Sequence, residues 1–301
     1  MPTSGARLSI LALALAAWPA AAQPVAAGDT SPDIVTIGRD ASSHMTVPVR
    51  IAERGPFRFL IDTGSQNTVL GTALAASLHL IPRARATLIG FAGTQQVDTV
   101  ELDQLDLGRR SYYSLLSPLL DEADMGADGI LGLDSLQGQR VLIDFRKGLI
   151  AVNDAKTLGG NAGYEIVVTA RRRSGQLIMA DARIDGMAAA VVIDTGAETS
   201  VGNLALRKAL ANRTQGDPTV LYSVTGQQIT TDVGIARQLV IDDITFAHVL
   251  IAFADAPPFQ ALGLAAKPAL FLGMRDLRAL NRLAIDFSTR QIFFDVPRGA
   301  F

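Results

Sequence analysis

Residues 59–71, FLIDTGSQNTVLG, set an aspartate directly behind the apolar run Phe59-Leu60-Ile61 and follow it with Thr63 and Gly64. Three apolar residues of this kind read as a strand entering a core, whereas an ionisable side chain normally seeks water. Taken singly, Asp62 reads as a strand-ending turn in which the carboxylate bonds its own backbone. The chain repeats the arrangement as VVIDTGAETSVG, residues 191–202, with Asp194 in the place of Asp62. Two such coincidences require a stronger explanation than a turn.

Around each copy the surrounding sequence also repeats. MTVPVRIAERGPFRFLIDTG predicts two alternating strands joined by a turn at Arg54-Gly55-Pro56, and LIMADARIDGMAAAVVIDTG has the same plan with its turn at Asp185-Gly186. Short helices are expected over 72–80 and 203–211. Glycine-marked hairpins follow, LIGFAGTQQV around Gly90 and Gly93 and LYSVTGQQIT around Gly226. Each half closes on apolar-apolar-Gly, a short helix and Ile-Asp-Phe, in the blocks 128–152 and 269–294. A period of roughly 130 residues is too long for a solenoid, whose repeats run to about 20–50. It predicts a mainly β chain of two similar lobes, 45–157 and 165–297, joined by a Gly- and Asn-rich linker at 158–164.

Composition narrows the functional classes. The 301 residues are 49% apolar and 19% charged with a formal net charge of −2, which gives no electrostatic case for nucleic acid or an anionic membrane. Without cysteine there is no disulfide, thiolate nucleophile or Cys-based zinc site, and His44, His79 and His248 are scattered, so no metal or cofactor is expected. Arg7, the apolar run 8–18 and small residues at Ala20 and Ala22 read as a signal peptide, 1–22, cleaved after Ala22. The run is short of the roughly 20 apolar residues that span a bilayer. A periplasmic or secreted protein with no membrane anchor after cleavage is therefore expected, with a flexible lead-in over 23–44.

The order of motifs, apolar-Asp-Thr-Gly, glycine-marked hairpin, then Ile130-Leu131-Gly132 or Phe271-Leu272-Gly273, resembles the aspartic proteases. More narrowly it is similar to a retropepsin-like bacterial protease with both halves on one chain, over roughly residues 45–296. The chemistry accounts for the duplication: peptide hydrolysis needs a base to activate water and an acid to protonate the scissile amide, and two adjacent carboxyls sharing one proton supply both. The expected catalytic residues are Asp62 and Asp194, meeting across a pseudo-twofold axis, so that one chain completes the site. The resemblance implies that Thr63 and Thr195 cross-bond the opposite loop, and that Gly64 and Gly196 allow close backbone approach. It further implies hairpin flaps bearing Gly90, Phe91, Gly93 and Tyr222 over an extended polypeptide, with Glu198 contacting substrate backbone.

The halves differ at Ser65 and Ala197, which follow the two motifs. A Ser65 hydroxyl donated to Asp62 would lower that carboxyl's pKa and leave the shared proton near Asp194. The repeated Asp144 and Asp286 read as structural acids on edge-like strands, and RRRSG, Arg171–Gly175, as an exposed basic turn. The alternative from another functional class is a non-catalytic periplasmic peptide-binding protein with the same cleft.

Overall fold

The computed structural model of the chain describes residues 8–10, 34–36, 38–39, 45–108, 110–210 and 215–297. The expected cleavage site after Ala22 and most of the signal peptide and lead-in lie outside the described residues. Among the described residues no helix is long and apolar enough to cross a membrane.

Each half folds into its own closed β sheet. In the first, Met45–Ile51 pairs with Arg54–Ile61 and also with Gly93–Leu107, curling an eight-stranded sheet into a barrel. In the second, Gln176–Ile184 pairs with Met187–Ile193 and with Gln228–Ile241, closing a nine-stranded sheet in the same way, with Leu8–Ile10 of the expected signal peptide as its outermost strand beside Gln215–Ser223. The strand that ends at each aspartate is flanked in parallel by the apolar-apolar-Gly strand: Gly129–Leu131 runs beside Arg54–Ile61, and Ala269–Leu272 beside Met187–Ile193. Both flanking strands are buried along their whole length, as their unbroken apolar sequences require. Their last carbonyls, on Leu131 and Leu272, accept the N–H groups of Asp62 and Asp194 at 3.0 Å. Each aspartate therefore leaves its strand at the floor of a barrel, held by neighbours that cannot slip register without exposing apolar side chains.

A third, six-stranded sheet ties the barrels together. Arg140–Asp144 and Arg282–Asp286 pair antiparallel at its centre, with Leu149–Asn153 and Ile34–Thr36 on one side and Gln291–Asp295 and Ile166–Thr169 on the other. The register Arg140↔Asp286, Leu142↔Ala284, Asp144↔Arg282 is symmetric about its middle pair, so the pseudo-twofold axis runs through it. Arg140 is buried there, bonded through Nη2 to Asp286 at 2.9 Å and to Asn161 at 2.8 Å, with its guanidinium 4.3 Å from the Phe293 ring centroid. For Asp286, burial alone would raise the pKa. Bonds from the Ser288 hydroxyl, the Thr289 N–H and Arg140 outweigh it, and the carboxyl titrates below its ordinary value.

Several expectations change. Asp144 and Asp286 lie on the central strands of this sheet, not on edges, because the two Ile-Asp-Phe strands pair with each other across the lobes. The stretch expected as a flexible lead-in contains two strands, Ile34–Thr36 and Gly38–Arg39. They occupy the places that Ile166–Thr169 and Arg171–Arg173 fill in the second half, so the duplication begins before Met45, and Arg171–Arg173 is itself an exposed edge strand. The first turn falls at Ala52-Glu53, both in the left-handed region at φ 48° and 63°, not at Arg54-Gly55-Pro56, which sit in the following strand. Asp185 and Gly186 make the matching turn at 49° and 85°.

Arg140→Met should cost about 3–5 kcal/mol of unfolding free energy in urea titrations, because it strands a buried carboxylate without its cation. Pairing it with Asp286→Asn should recover part of that loss. An equal loss in the single and double variants would assign the effect to packing.

Candidate active site

Thr63 and Thr195 knit the two strand ends together. The Thr63 hydroxyl donates to the Ile193 carbonyl at 2.9 Å and the Thr195 hydroxyl to the Ile61 carbonyl at 2.8 Å. Each hydroxyl also accepts the N–H of the other threonine, at 3.0 and 3.2 Å. A hydroxyl is one donor with two acceptor lone pairs, so one residue type in both loops can satisfy four buried backbone groups reciprocally. The glycines behind them leave room for the opposite carboxylate: a Cβ on Gly64 would lie 2.7 Å from Asp194 Oδ1, and one on Gly196 2.5 Å from Asp62 Cγ. Any side chain at either position would drive the loops apart.

The grip leaves Asp62 and Asp194 against each other and out of reach of solvent, at 0% and 1% exposure. Each turns one oxygen to its own loop: Asp62 Oδ1 accepts the Gly64 N–H at 2.7 Å, and Asp194 Oδ1 accepts those of Gly196 and Ala197 at 3.0 and 3.1 Å. The second oxygens, Oδ2 of both, are buried with no protein donor, which is the arrangement in which two carboxyls share a proton. Burial raises both pKa values. For Asp62 the neighbouring Asp194 charge adds to burial and lifts it well above its ordinary value. Asp194, whose charge is eased by the Gly196 and Ala197 N–H groups, is pushed up to about 6.

The expected asymmetry loses its cause. The Ser65 hydroxyl donates to the Asn67 carbonyl at 2.9 Å and not to Asp62, because that acceptor lies two residues ahead in the same loop. Both carboxyls are raised above their ordinary value, burial being the first cause in each. Ala197 contributes through its backbone N–H, for which the lack of a hydroxyl is immaterial.

Of the other expected residues, Gly90 and Gly93 pair at the tip of the first hairpin, formed by Ala84–Gly90 and Gly93–Leu107, with Phe91 and Ala92 as its turn. Tyr222 is half-buried on the second hairpin, Gln215–Ser223 with Gln228–Ile241. Glu198 is held by Arg278, Nη1 to Oε1 at 2.5 Å, so its carboxylate already has a cation partner. Gln176 was not singled out by the sequence. It is fully buried, and its Nε2 donates at 2.6 Å to the Gly64 carbonyl, bracing the first loop from the second half. Asp134 and Asp276 do similar work behind the loops, accepting from the Thr68 and Ser200 hydroxyls at 2.7 and 2.5 Å. Gln176 opens a strand and Asp134 and Asp276 lie in four-residue helices, elements too short or too terminal for a periodic pattern to mark a single polar side chain. Among the described residues, no group of three or more His, Cys, Asp or Glu is placed to hold a metal ion.

A carboxyl whose folded pKa is raised binds protons more tightly in the folded than in the unfolded chain. Its contribution to stability is complete below the unfolded value, near pH 4, and is lost as pH rises through the folded value. Asp194→Asn removes that loss. Its melting temperature relative to the parent should rise by about 5 °C or more between pH 4 and pH 8, following a shift of about two pKa units worth roughly 3 kcal/mol. Thermal scans at both pH values test this, and a gap that narrows with pH would contradict it.

The sequence model of the aspartyl protease family matches the chain twice, over residues 47–135 and 180–275, each match containing one of the two aspartates. Comparison with curated proteins returns no match.

Proposed function

The chain belongs to the aspartyl protease family, and from that premise we propose that it is an endopeptidase in which Asp62 and Asp194 act as one unit. The observation that carries this reading is the buried carboxyl pair itself, with two oxygens left free of protein donors by the threonine grip.

The pair can divide the labour. Asp194, taken as the ionised member, takes a proton from a water molecule as that water's oxygen attacks the scissile carbonyl carbon. Asp62, holding the shared proton, gives it to the carbonyl oxygen, and a gem-diol results. Asp194 then gives its proton to the amide nitrogen, the C–N bond breaks as the Asp62 carboxylate takes a gem-diol hydroxyl proton, and the carboxylic acid and amine leave the pair with one proton. No step needs a metal or cofactor. The substrate is an extended polypeptide, and the edge of the first hairpin offers it main-chain partners, whereas Leu8–Ile10 pairs along the outer strand of the second. One chain supplies both aspartates, so the site is complete in a monomer. The apolar leader with its small residues before Gln23 supports export to the periplasm or beyond.

Asp62→Asn and Asp194→Asn should each lower kcat/KM on an unstructured protein substrate by about 10³-fold or more, since neither group works without the other. Retention of substantial turnover by either variant would overturn the assignment, and peptide binding without turnover by the parent would favour the non-catalytic alternative. The parent's kcat should fall as pH drops below about 6, where the second proton enters the closed pair. Specific activity of a stable sample should be constant on dilution, and a decline would point to a site shared between chains.

A further inference from the structure

Tyr112 and Phe246 hold the same place in the two halves. Arg110–Leu120 pairs with Gly93–Leu107 as Ile244–Phe253 pairs with Gln228–Ile241, and each ladder is interrupted at one residue in the left-handed region, Ser114 at φ 53° and His248 at 54°. Counting back from these matches Arg110, Tyr112 and Tyr113 with Ile244, Phe246 and Ala247. The symmetric register of Arg140 and Arg282 likewise matches Gln139 with Asn281 and Asn153 with Asp295.

In the first half these side chains meet. Gln139 Nε2 donates to the Tyr112 hydroxyl and, at 2.9 Å, to the Ser135 carbonyl, while Arg110 Nη2 donates to Asn153 Oδ1 at 2.7 Å. The second half has lost each of these groups: Phe246 has no hydroxyl, Ile244 no guanidinium and Ala247 no ring. Asn281 turns its amide to Asp295 Oδ1 and the Val296 carbonyl, at 3.2 and 2.9 Å. What remains is an open cavity of about 300 Å³, at the lower end of the range for ligand pockets. Ile244, Phe246, Leu280 and Val296, all buried, give it apolar walls, and exposed Arg275 and His248 stand at its rim.

The charges on the lining select the ligand. Arg275 forms no ion pair among the described residues, and its one charged influence is on Asp276, whose carboxyl it eases. Asp276 also lines the cavity, but its Oδ2 is already taken by the Ser200 hydroxyl. A guanidinium presents a planar fork that fits a carboxylate with two parallel N–H···O bonds, and a His248 ring N–H adds a donor. A cation would be repelled by Arg275, and a dianion by Asp276. We propose that this cavity is a ligand site of the second lobe for a small monocarboxylate with an apolar body, the carboxylate on Arg275 and the body between Phe246, Leu280 and Val296. The site shares no residue with the Asp-Thr-Gly loops and does not rest on the peptidase reading.

The probe is 4-phenylbutyrate, titrated into the full chain with methyl-labelled Ile, Leu and Val, and its uncharged counterpart is 4-phenylbutyramide. The acid should bind at least about tenfold more tightly than the amide. It should move the methyl resonances of Ile244, Leu280 and Val296 and leave those of Ile61 and Ile193, next to the aspartates, in place. In Arg275→Gln, an exposed change whose folding is checked by melting, the acid should bind about tenfold more weakly while the amide changes less than twofold. Absence of binding, equal affinities for acid and amide, shifts confined to methyls outside the cavity, or unchanged acid binding by Arg275→Gln would each overturn the proposal.

Discussion

Two threonine hydroxyls are the constraint from which the rest of the site follows. Thr63 and Thr195 each donate a hydrogen bond to a strand-end carbonyl of the other lobe and accept one from the other's backbone N–H. In an isolated lobe these groups would face an apolar floor with no partner, and an unpaired buried polar group costs about 1–3 kcal/mol. Satisfying them brings the aspartates, one residue earlier in each loop, into contact. Two carboxyls that repel one another and have lost their water are thus held together by neutral hydrogen bonds beside them and by two close-packed glycines. The six-stranded sheet and its buried Arg140–Asp286 pair secure the same axis from a second place, so the lobes cannot rotate without breaking both.

Duplication gives the pair the same backbone twice, but the two members do not have the same surroundings. The difference lies in charge more than in donors: Asp62 faces its partner's charge, while backbone N–H groups ease the charged form of both, Gly64 and Ser65 at Asp62 and Gly196 and Ala197 at Asp194. The Ser65 hydroxyl, which could have opposed that difference, is taken by the Asn67 carbonyl.

What could be read in the sequence is what the repeat had to keep. The Asp-Thr-Gly motifs, the apolar runs before them, the Leu-Gly pairs and the two barrels are visible because both halves need the same residue types in the same order. Less could be read where a contact depends on the path of a distant segment. Gln176 gives no sign in sequence that its amide will reach Gly64. Ile34–Thr36 is too short to announce a strand, and only the open flank of Leu149–Asn153 makes it one. The Ala52-Glu53 turn lacks the glycine that marks its counterpart at Asp185-Gly186, and the neighbouring Gly55-Pro56 drew the reading forward by two positions. The direction of the Ser65 hydroxyl was decided by a local acceptor, and side-chain-to-backbone bonds within a loop compete with longer ones on nearly equal terms.

Burial is the first cause of the pKa shift in both aspartates, and it belongs to this closed arrangement, in which Phe91 and Val224 at the two hairpin tips lie in the opposite lobes' apolar clusters. An opening that let water reach the carboxyls would relax the desolvation and move both groups back towards ordinary carboxylate behaviour. Under the peptidase reading proposed above, a peptide that filled the cleft would dry the pair again, so the shared proton that hydrolysis uses would be tied to a filled cleft.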